Sequence, residues 1–220
     1  MNLNGTTALV TGANRGLGRH FAQQLLERGA TKVYAAARNP ETIDLPGVTP
    51  IQLDITDLES VARAAAVATD VDVLINNAGI SLYQNLVTGD LDQVRRELET
   101  NFFGTLNVIR AFSGASAILN VNSRLSWLSY LGAGGYAASK AAEWSLTNSV
   151  RLELPDALVT GLYLSGTDTD MMAGYDGPLN DPADVVRTAL DGLEAGAIEV
   201  IADEDTAITK AALSGVPVAA

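Results

Sequence analysis

Tyr136 and Lys140 stand four residues apart in Tyr136-Ala137-Ala138-Ser139-Lys140, a spacing that sets a phenol and an ammonium on one face of a helix. A unit positive charge ~4 Å from a phenol, at an effective dielectric near 20, favours the phenolate by about 4 kcal/mol, or about three pKa units. A tyrosine so placed serves as a general acid or base near neutrality. Ser123 follows the apolar run 117–122, at the carboxyl end of an expected strand, where open α/β sheets bind ligands. A hydroxyl there orients a carbonyl and steadies a developing alkoxide without acting as a nucleophile. The lone histidine, His20, lies in a different segment, so a Ser–His–Asp hydrolase is disfavoured.

The elements that must hold these groups alternate. Short runs rich in β-branched and apolar residues at 6–11, 32–37, 48–53, 71–75, 117–122, 157–163 and 198–202 read as strands. Segments 17–28, 58–68, 91–112, 136–154 and 182–195 carry helical periodicity. Strands apolar on both faces, alternating with helices, imply βαβ units. The predicted fold is α/β: a doubly wound Rossmann fold with a seven-stranded parallel sheet and helices on both faces. The expectation is one domain over 1–220, with 214–220 as a loose tail.

The first strand runs into Thr11-Gly12-Ala13-Asn14-Arg15-Gly16-Leu17-Gly18 and then a helix. Glycines in such a turn let a pyrophosphate approach the helix N-terminus, where free N–H groups and the helix dipole favour anions. The alternative is a tight strand–helix connection with no ligand. The second strand ends Ala37-Arg38-Asn39, with no carboxylate to accept from a ribose 2′-hydroxyl. Arg38, with Arg15 in the turn, instead suits a 2′-phosphate, so NADP(H) is expected over NAD(H).

Composition narrows the function further. A net charge of −12 over 220 residues argues against broad affinity for nucleic acid or anionic membranes. With no cysteine and one histidine, disulfides and thiolate or histidine metal sites are excluded, and no metal is expected. No apolar run is long enough to span a bilayer, and the Met1-Asn2-Leu3-Asn4 start lacks a secretory layout. A cytoplasmic protein is expected.

Taken together, these residues resemble the short-chain dehydrogenase/reductase family, and the resemblance extends over roughly 6–213. The Gly12, Gly16, Gly18 turn matches its cofactor motif, Asn76-Asn77-Ala78-Gly79 its fourth-strand signature, and Ser123 with Tyr136 and Lys140 its catalytic set. The resemblance implies that Asn101 is a fourth catalytic member, holding a water that links Lys140 to solvent. It implies that Asp54, with neighbouring Ile55, meets the adenine. It implies that Gly166, Thr167 and Thr169 contact the nicotinamide end, with Ser165 where the family has proline. The cofactor set is then Gly12, Asn14, Arg15, Gly16, Leu17, Gly18, Arg38, Asp54, Ile55, Asn77, Ala78, Gly79, Tyr136, Lys140, Gly166, Thr167 and Thr169. The implied activity is reversible NADPH-dependent reduction of a ketone or aldehyde, with Tyr136 as the acid and Lys140 tuning it and holding the ribose. The alternative is a non-catalytic NADP(H)-binding regulator or scaffold of the same fold.

Substrate-pocket candidates are Ser123, Leu125, Trp127, Tyr130 and Met172, with Ile80, Ser81 and Leu164 nearby; each also reads as packing. The short stretch 172–180 predicts an open pocket, and the short 101–123 segment a trimmed turn away from the site. Surplus apolar surface on 91–112 and 136–154, with Phe102, Phe103, Trp144 and Leu146 as candidates, predicts a homodimer or homotetramer.

Overall fold

The structure is a computed structural model and describes residues 1–213. In chain order it contains β1 (Thr7–Thr11), α1 (Gly16–Glu27), β2 (Lys32–Ala37), β3 (Thr49–Gln52), α2 (Leu58–Val67), β4 (Val73–Asn76) and α3 (Leu91–Leu98). There follow α4 (Thr105–Ala111), β5 (Ala117–Val121), α5 (Gly134–Glu153), β6 (Leu158–Tyr163), α6 (Pro182–Glu194), β7 (Glu199–Ile201) and α7 (Glu204–Ala212). One seven-stranded sheet has the order β3-β2-β1-β4-β5-β6-β7, and every neighbouring pair is parallel. This is the doubly wound fold the alternation predicts. Strand order reverses between β1 and β4, and ligand crevices open beyond the carboxyl ends at such a switch point.

Alternate residues of the central strands feed two cores. Ala8, Val10, Ile75 and Leu119 pack with Phe21 and Leu25 of α1 and Val186 and Leu190 of α6. Leu9, Leu74 and Ile118 pack with Val61 of α2, Val108 of α4 and Val150 of α5. The period-two alternation sends neighbouring side chains to opposite faces, so a strand apolar at every position is what a sheet covered on both sides requires.

The expected single helix over 91–112 is interrupted: a six-residue π turn, Glu99–Gly104, separates α3 from α4. The periodicity continues through it, which is why the sequence reads as one helix. What the pattern does not register is Asn101, fully buried and bonded to neighbouring elements. Gly104 fits because a Cβ there would stand 2.7 Å from Ile55 Cγ1. π turns of this kind recur at functional sites.

A helix not expected from the sequence, α7, follows β7. Asp203 caps it by accepting from Thr206 N at 2.9 Å. The same side chain accepts from Ser165 N at 2.8 Å and from Asn180 Nδ2 at 3.3 Å. Proline at 165 has no N–H to give, so the departure at Ser165 supplies the donor that ties the turn after β6 to α7. The tail expected at 214–220 lies outside the described residues. Asp203→Ala removes a helix cap and strands half-buried donors, and is expected to lower unfolding free energy by about 1–3 kcal/mol. Urea denaturation checks this; a change below about 0.3 kcal/mol would contradict it.

Candidate active site

The glycine turn lies at the switch point. Gly12 and Gly16 have φ of +65° and +51°, a region side chains rarely enter. A Cβ on Gly18 would fall 2.1 Å from the Gly12 carbonyl oxygen, so α1 meets β1 only with glycine there. Arg15 at the N-cap of α1 makes no side-chain cap bond, which leaves the first-turn N–H groups to an anion. Thr11 Oγ1 accepts from the backbone N–H of Asn77 and of Ala78, each at 3.0 Å, and Asn77 Nδ2 donates to Thr11 O at 2.9 Å. The ends of β1 and β4 are thereby sewn together. Asn14 and Leu17 are half-buried in the same turn.

The two arginines expected at a phosphate differ. Arg38 is exposed at the end of β2 and is absent from the ion pairs of the described residues. Arg15 pairs with Asp170 at 2.9 Å, both side chains largely exposed, so the pair contributes little and exchanges readily. Asp54 Oδ1 accepts from Thr56 N and Thr56 Oγ1 at 3.0 and 2.7 Å, which fixes the carboxylate just past β3. Ile55 is buried against the Gly104 backbone. Across the crevice, Gly166 and Thr167 follow β6, and the Thr169 methyl would be 3.3 Å from a Cβ on Gly16. A cradle shaped by missing Cβ atoms, an uncapped helix start and a free arginine together fit an NADP-type dinucleotide.

Beside this cradle, the structure brings Ser123, Tyr136, Lys140 and Asn101 together. Ser123 Oγ accepts from Leu125 N at 3.1 Å and lies close enough to the Tyr136 phenol to favour its ionised form. Lys140 Nζ lies 5.8 Å from the Tyr136 ring centroid. It donates to Val121 O at 2.8 Å and to a carboxylate oxygen of Glu143 at 2.6 Å. Asn101 Oδ1 accepts from Ile80 N at 2.8 Å, and its amide donates to Ile80 O and Ser139 Oγ at 2.9 and 2.8 Å. Both side-chain N–H groups of Asn101 are therefore spent on positioning the loop after β4 and the second turn of α5.

The electrostatics depart from the expectation of a phenol brought near neutrality. Lys140 does favour the Tyr136 phenolate, but burial outweighs it and Glu143 opposes it, leaving the pKa raised. An isolated pair ~4 Å apart omits burial of the phenol, the larger effect, and the third ion, Glu143. Glu143, with the Lys140–Glu143 pair almost wholly buried, has its own carboxyl pushed up by burial. Burial pulls Lys140 down, but that carboxylate and Tyr136 together hold it above its ordinary value.

Of the pocket candidates, Tyr130 lines an open apolar concavity of about 360 Å³ with Leu86, Val87, Leu131 and Gly134, beside the start of α5. Leu125 is half-buried next to Ser123. Trp127 is engaged in packing: its ring stacks on Tyr163 with centroids 4.4 Å apart, and Lys210 of α7 lies over it. Leu164 likewise belongs to the core. Tyr83, which sequence reasoning missed, adopts φ +52° and donates to Met171 O at 2.9 Å, with Met172 Sδ 4.0 Å away. It links the loops on either side of the crevice.

Glu97 was also missed. It is fully buried, accepts from Leu82 N at 2.7 Å, and keeps Oε2 unpartnered against Gly135. Burial raises its pKa. A carboxyl whose folded pKa exceeds its unfolded value stabilises most at low pH and loses that contribution as pH rises through the folded value. Glu97→Gln keeps the acceptor and removes the ionisation, so the variant should gain on the parent as pH rises from about 4.5. Denaturation of both across pH 4 to 8 checks this, with a pH-independent difference as the contrary result.

A short chain dehydrogenase family profile matches residues 6–177. Carbonyl reductase [NADPH] 2 of Sus scrofa is 32% identical over 70% of this chain and 68% of its own length. The 3-oxoacyl-[acyl-carrier-protein] reductase FabG of Vibrio harveyi is 34% identical over 73% of this chain and 72% of its own. A short chain dehydrogenase of Burkholderia cenocepacia, solved in complex with NADP, superposes with a TM-score of 0.94 at 39% identity, covering 97% of this chain and 94% of that one. With the fold, the glycine cradle and the serine–tyrosine–lysine group already in place, these matches show that the chain belongs to the short-chain dehydrogenase/reductase family of oxidoreductases.

Proposed function

We propose that the protein is an NADP(H)-dependent reductase that converts a ketone or aldehyde to an alcohol, reversibly. The observation that carries this reading is the group of Ser123, Tyr136 and Lys140 at the carboxyl edge of the sheet, with Ser123 and Lys140 buried and Tyr136 half-buried, beside the glycine cradle. Support for NADP(H) comes from Arg38, exposed where a 2′-phosphate would lie, and from relatives whose names carry NADPH or NADP.

The turn of Gly12, Asn14, Arg15, Gly16, Leu17 and Gly18 would hold the pyrophosphate, Arg38 the 2′-phosphate, Asp54 and Ile55 the adenine. Asn77, Ala78, Gly79, Gly166, Thr167 and Thr169 would flank the nicotinamide riboside. The reduced nicotinamide, when bound, supplies the hydride. Ser123 orients the substrate oxygen, Tyr136 gives its phenolic proton to that oxygen, and Lys140 lowers the energy of the phenolate left behind. Asn101 fixes Ile80 and Ser139 around them.

Assembly as a homodimer or homotetramer is part of the proposal. Phe103 and Trp144 are partly exposed on the π turn and α5, at 46% and 38%, whereas Leu146 is buried in the chain's own core and is withdrawn from the interface set.

The test is NADPH oxidation with a panel of aldehydes and ketones. Tyr136→Phe is expected to lose turnover by about 10²–10⁴-fold with folding intact; full turnover in that variant would overturn the reading. Arg38→Ala is expected to weaken NADPH by about 10- to 100-fold while leaving NADH unchanged. Equal loss for both cofactors would remove Arg38 from the phosphate site.

A further inference from the structure

Lys140 is the buried cation of the site, yet its charge is not left unbalanced. Glu143 follows it by three residues on α5, on the same helix face, and the two side chains keep 6% and 2% exposure. An ammonium has three N–H donors. One goes to Val121 O and one to Glu143. A Cβ on Gly79 would lie 3.8 Å from the nitrogen, which places the loop after β4 within reach of the remaining donor. Buried ion pairs seldom stabilise a fold more than apolar packing of the same volume. The consequence of Glu143 therefore falls on the charge of the site.

Resting on the oxidoreductase reading above, we propose that Glu143 is a positioning residue of the reaction. It pins the Lys140 ammonium and balances its charge, so that Tyr136 works beside a neutral pair instead of a lone cation. The groups facing this trio come from every element around it. Ser123 and the Val121 carbonyl approach from β5, Tyr83 from the loop after β4, and Tyr163, itself influenced by Glu143 and Arg151, from β6. Glu97 of α3 lies against Gly135, one residue before Tyr136. In this set Glu143 is the charge that works against Lys140 at the phenol. Its removal leaves the full field of the ammonium acting on Tyr136.

The experiment compares the parent chain with Glu143→Gln, which keeps size and loses charge, and Glu143→Asp, which keeps charge. Each is also made with Tyr136→Phe, so that the difference in ultraviolet tyrosinate absorbance during a pH titration isolates the Tyr136 phenol without any turnover. In Glu143→Gln the phenol should ionise about one to two pH units below the parent, and Glu143→Asp should stay close to the parent. The rising limb of kcat/KM for alcohol oxidation against pH should move with the phenol. An unshifted phenol in a natively folded Glu143→Gln protein overturns the proposal. Should that variant not fold, Glu143→Leu, with apolar packing at the same place, carries the same expectation. A shifted phenol in a protein that oxidises no alcohol upholds the role of Glu143 and counts against the oxidoreductase reading. Tyr136-dependent turnover with an unshifted profile does the reverse.

Discussion

The site is organised around one ammonium held out of water. A buried cation is tolerated only when its donors are largely matched and its charge is answered, and Lys140 places two of its three donors and balances its charge through α5 itself and the end of β5. That requirement constrains the neighbourhood. α5 must begin close enough to β5 for Nζ to reach the Val121 carbonyl, and Ser123, two residues farther along, then falls beside Tyr136. The lysine thus fixes the relative placement of the helix and the strand end that carry the other two groups.

A chain of buried amides transmits this placement through the sheet. Asn76 of β4 donates to Asn120 of β5 at 2.8 Å, Asn120 donates to Thr147 of α5 at 3.0 Å, and Thr147 donates to the Glu143 carbonyl at 2.8 Å. Asn101, in its π turn, joins the loop after β4 to Ser139. In a low-dielectric interior such networks are specific where their members are paired, and here Asn76 Oδ1 stays unpartnered. They hold β4, β5 and α5 in one register, and the crevice between glycine cradle and tyrosine keeps its width.

Much of this was legible in the sequence because it follows from short-range rules. Strands apolar on both faces gave the parallel sheet, with boundaries within two residues of the observed ones, and the glycine spacing marked the cradle. Four-residue spacing identified the tyrosine–lysine face. What escaped depends on distant partners. The π turn keeps helical periodicity and is visible only once Asn101 is seen bonded to Ile80 and Ser139. Helix α7 carries a local cap at Asp203, but the tie between that cap and Ser165, 38 residues away, is not visible in the sequence. Glu143 did carry a signal: an acid three residues after Lys140, at a position whose helical neighbours Ser139, Leu146 and Thr147 are buried. Reading Tyr136 and Lys140 as an isolated pair concealed it, while the direction of the phenol's shift turns first on burial, which spacing does not register. Trp127 and Leu164 were ambiguous between pocket and packing, and their side chains are engaged in packing.

The central claim is that the serine–tyrosine–lysine group and the glycine cradle act on one substrate carbon. The most direct measurement is turnover with NADPH deuterated at the reactive carbon of the nicotinamide, with mass analysis of the alcohol formed from each carbonyl of a broad panel. The account predicts one deuterium on the carbinol carbon, delivered from a single face of the cofactor and absent when Tyr136 is phenylalanine. A protein that binds the deuterated cofactor yet transfers no deuterium to any of these carbonyls would contradict it.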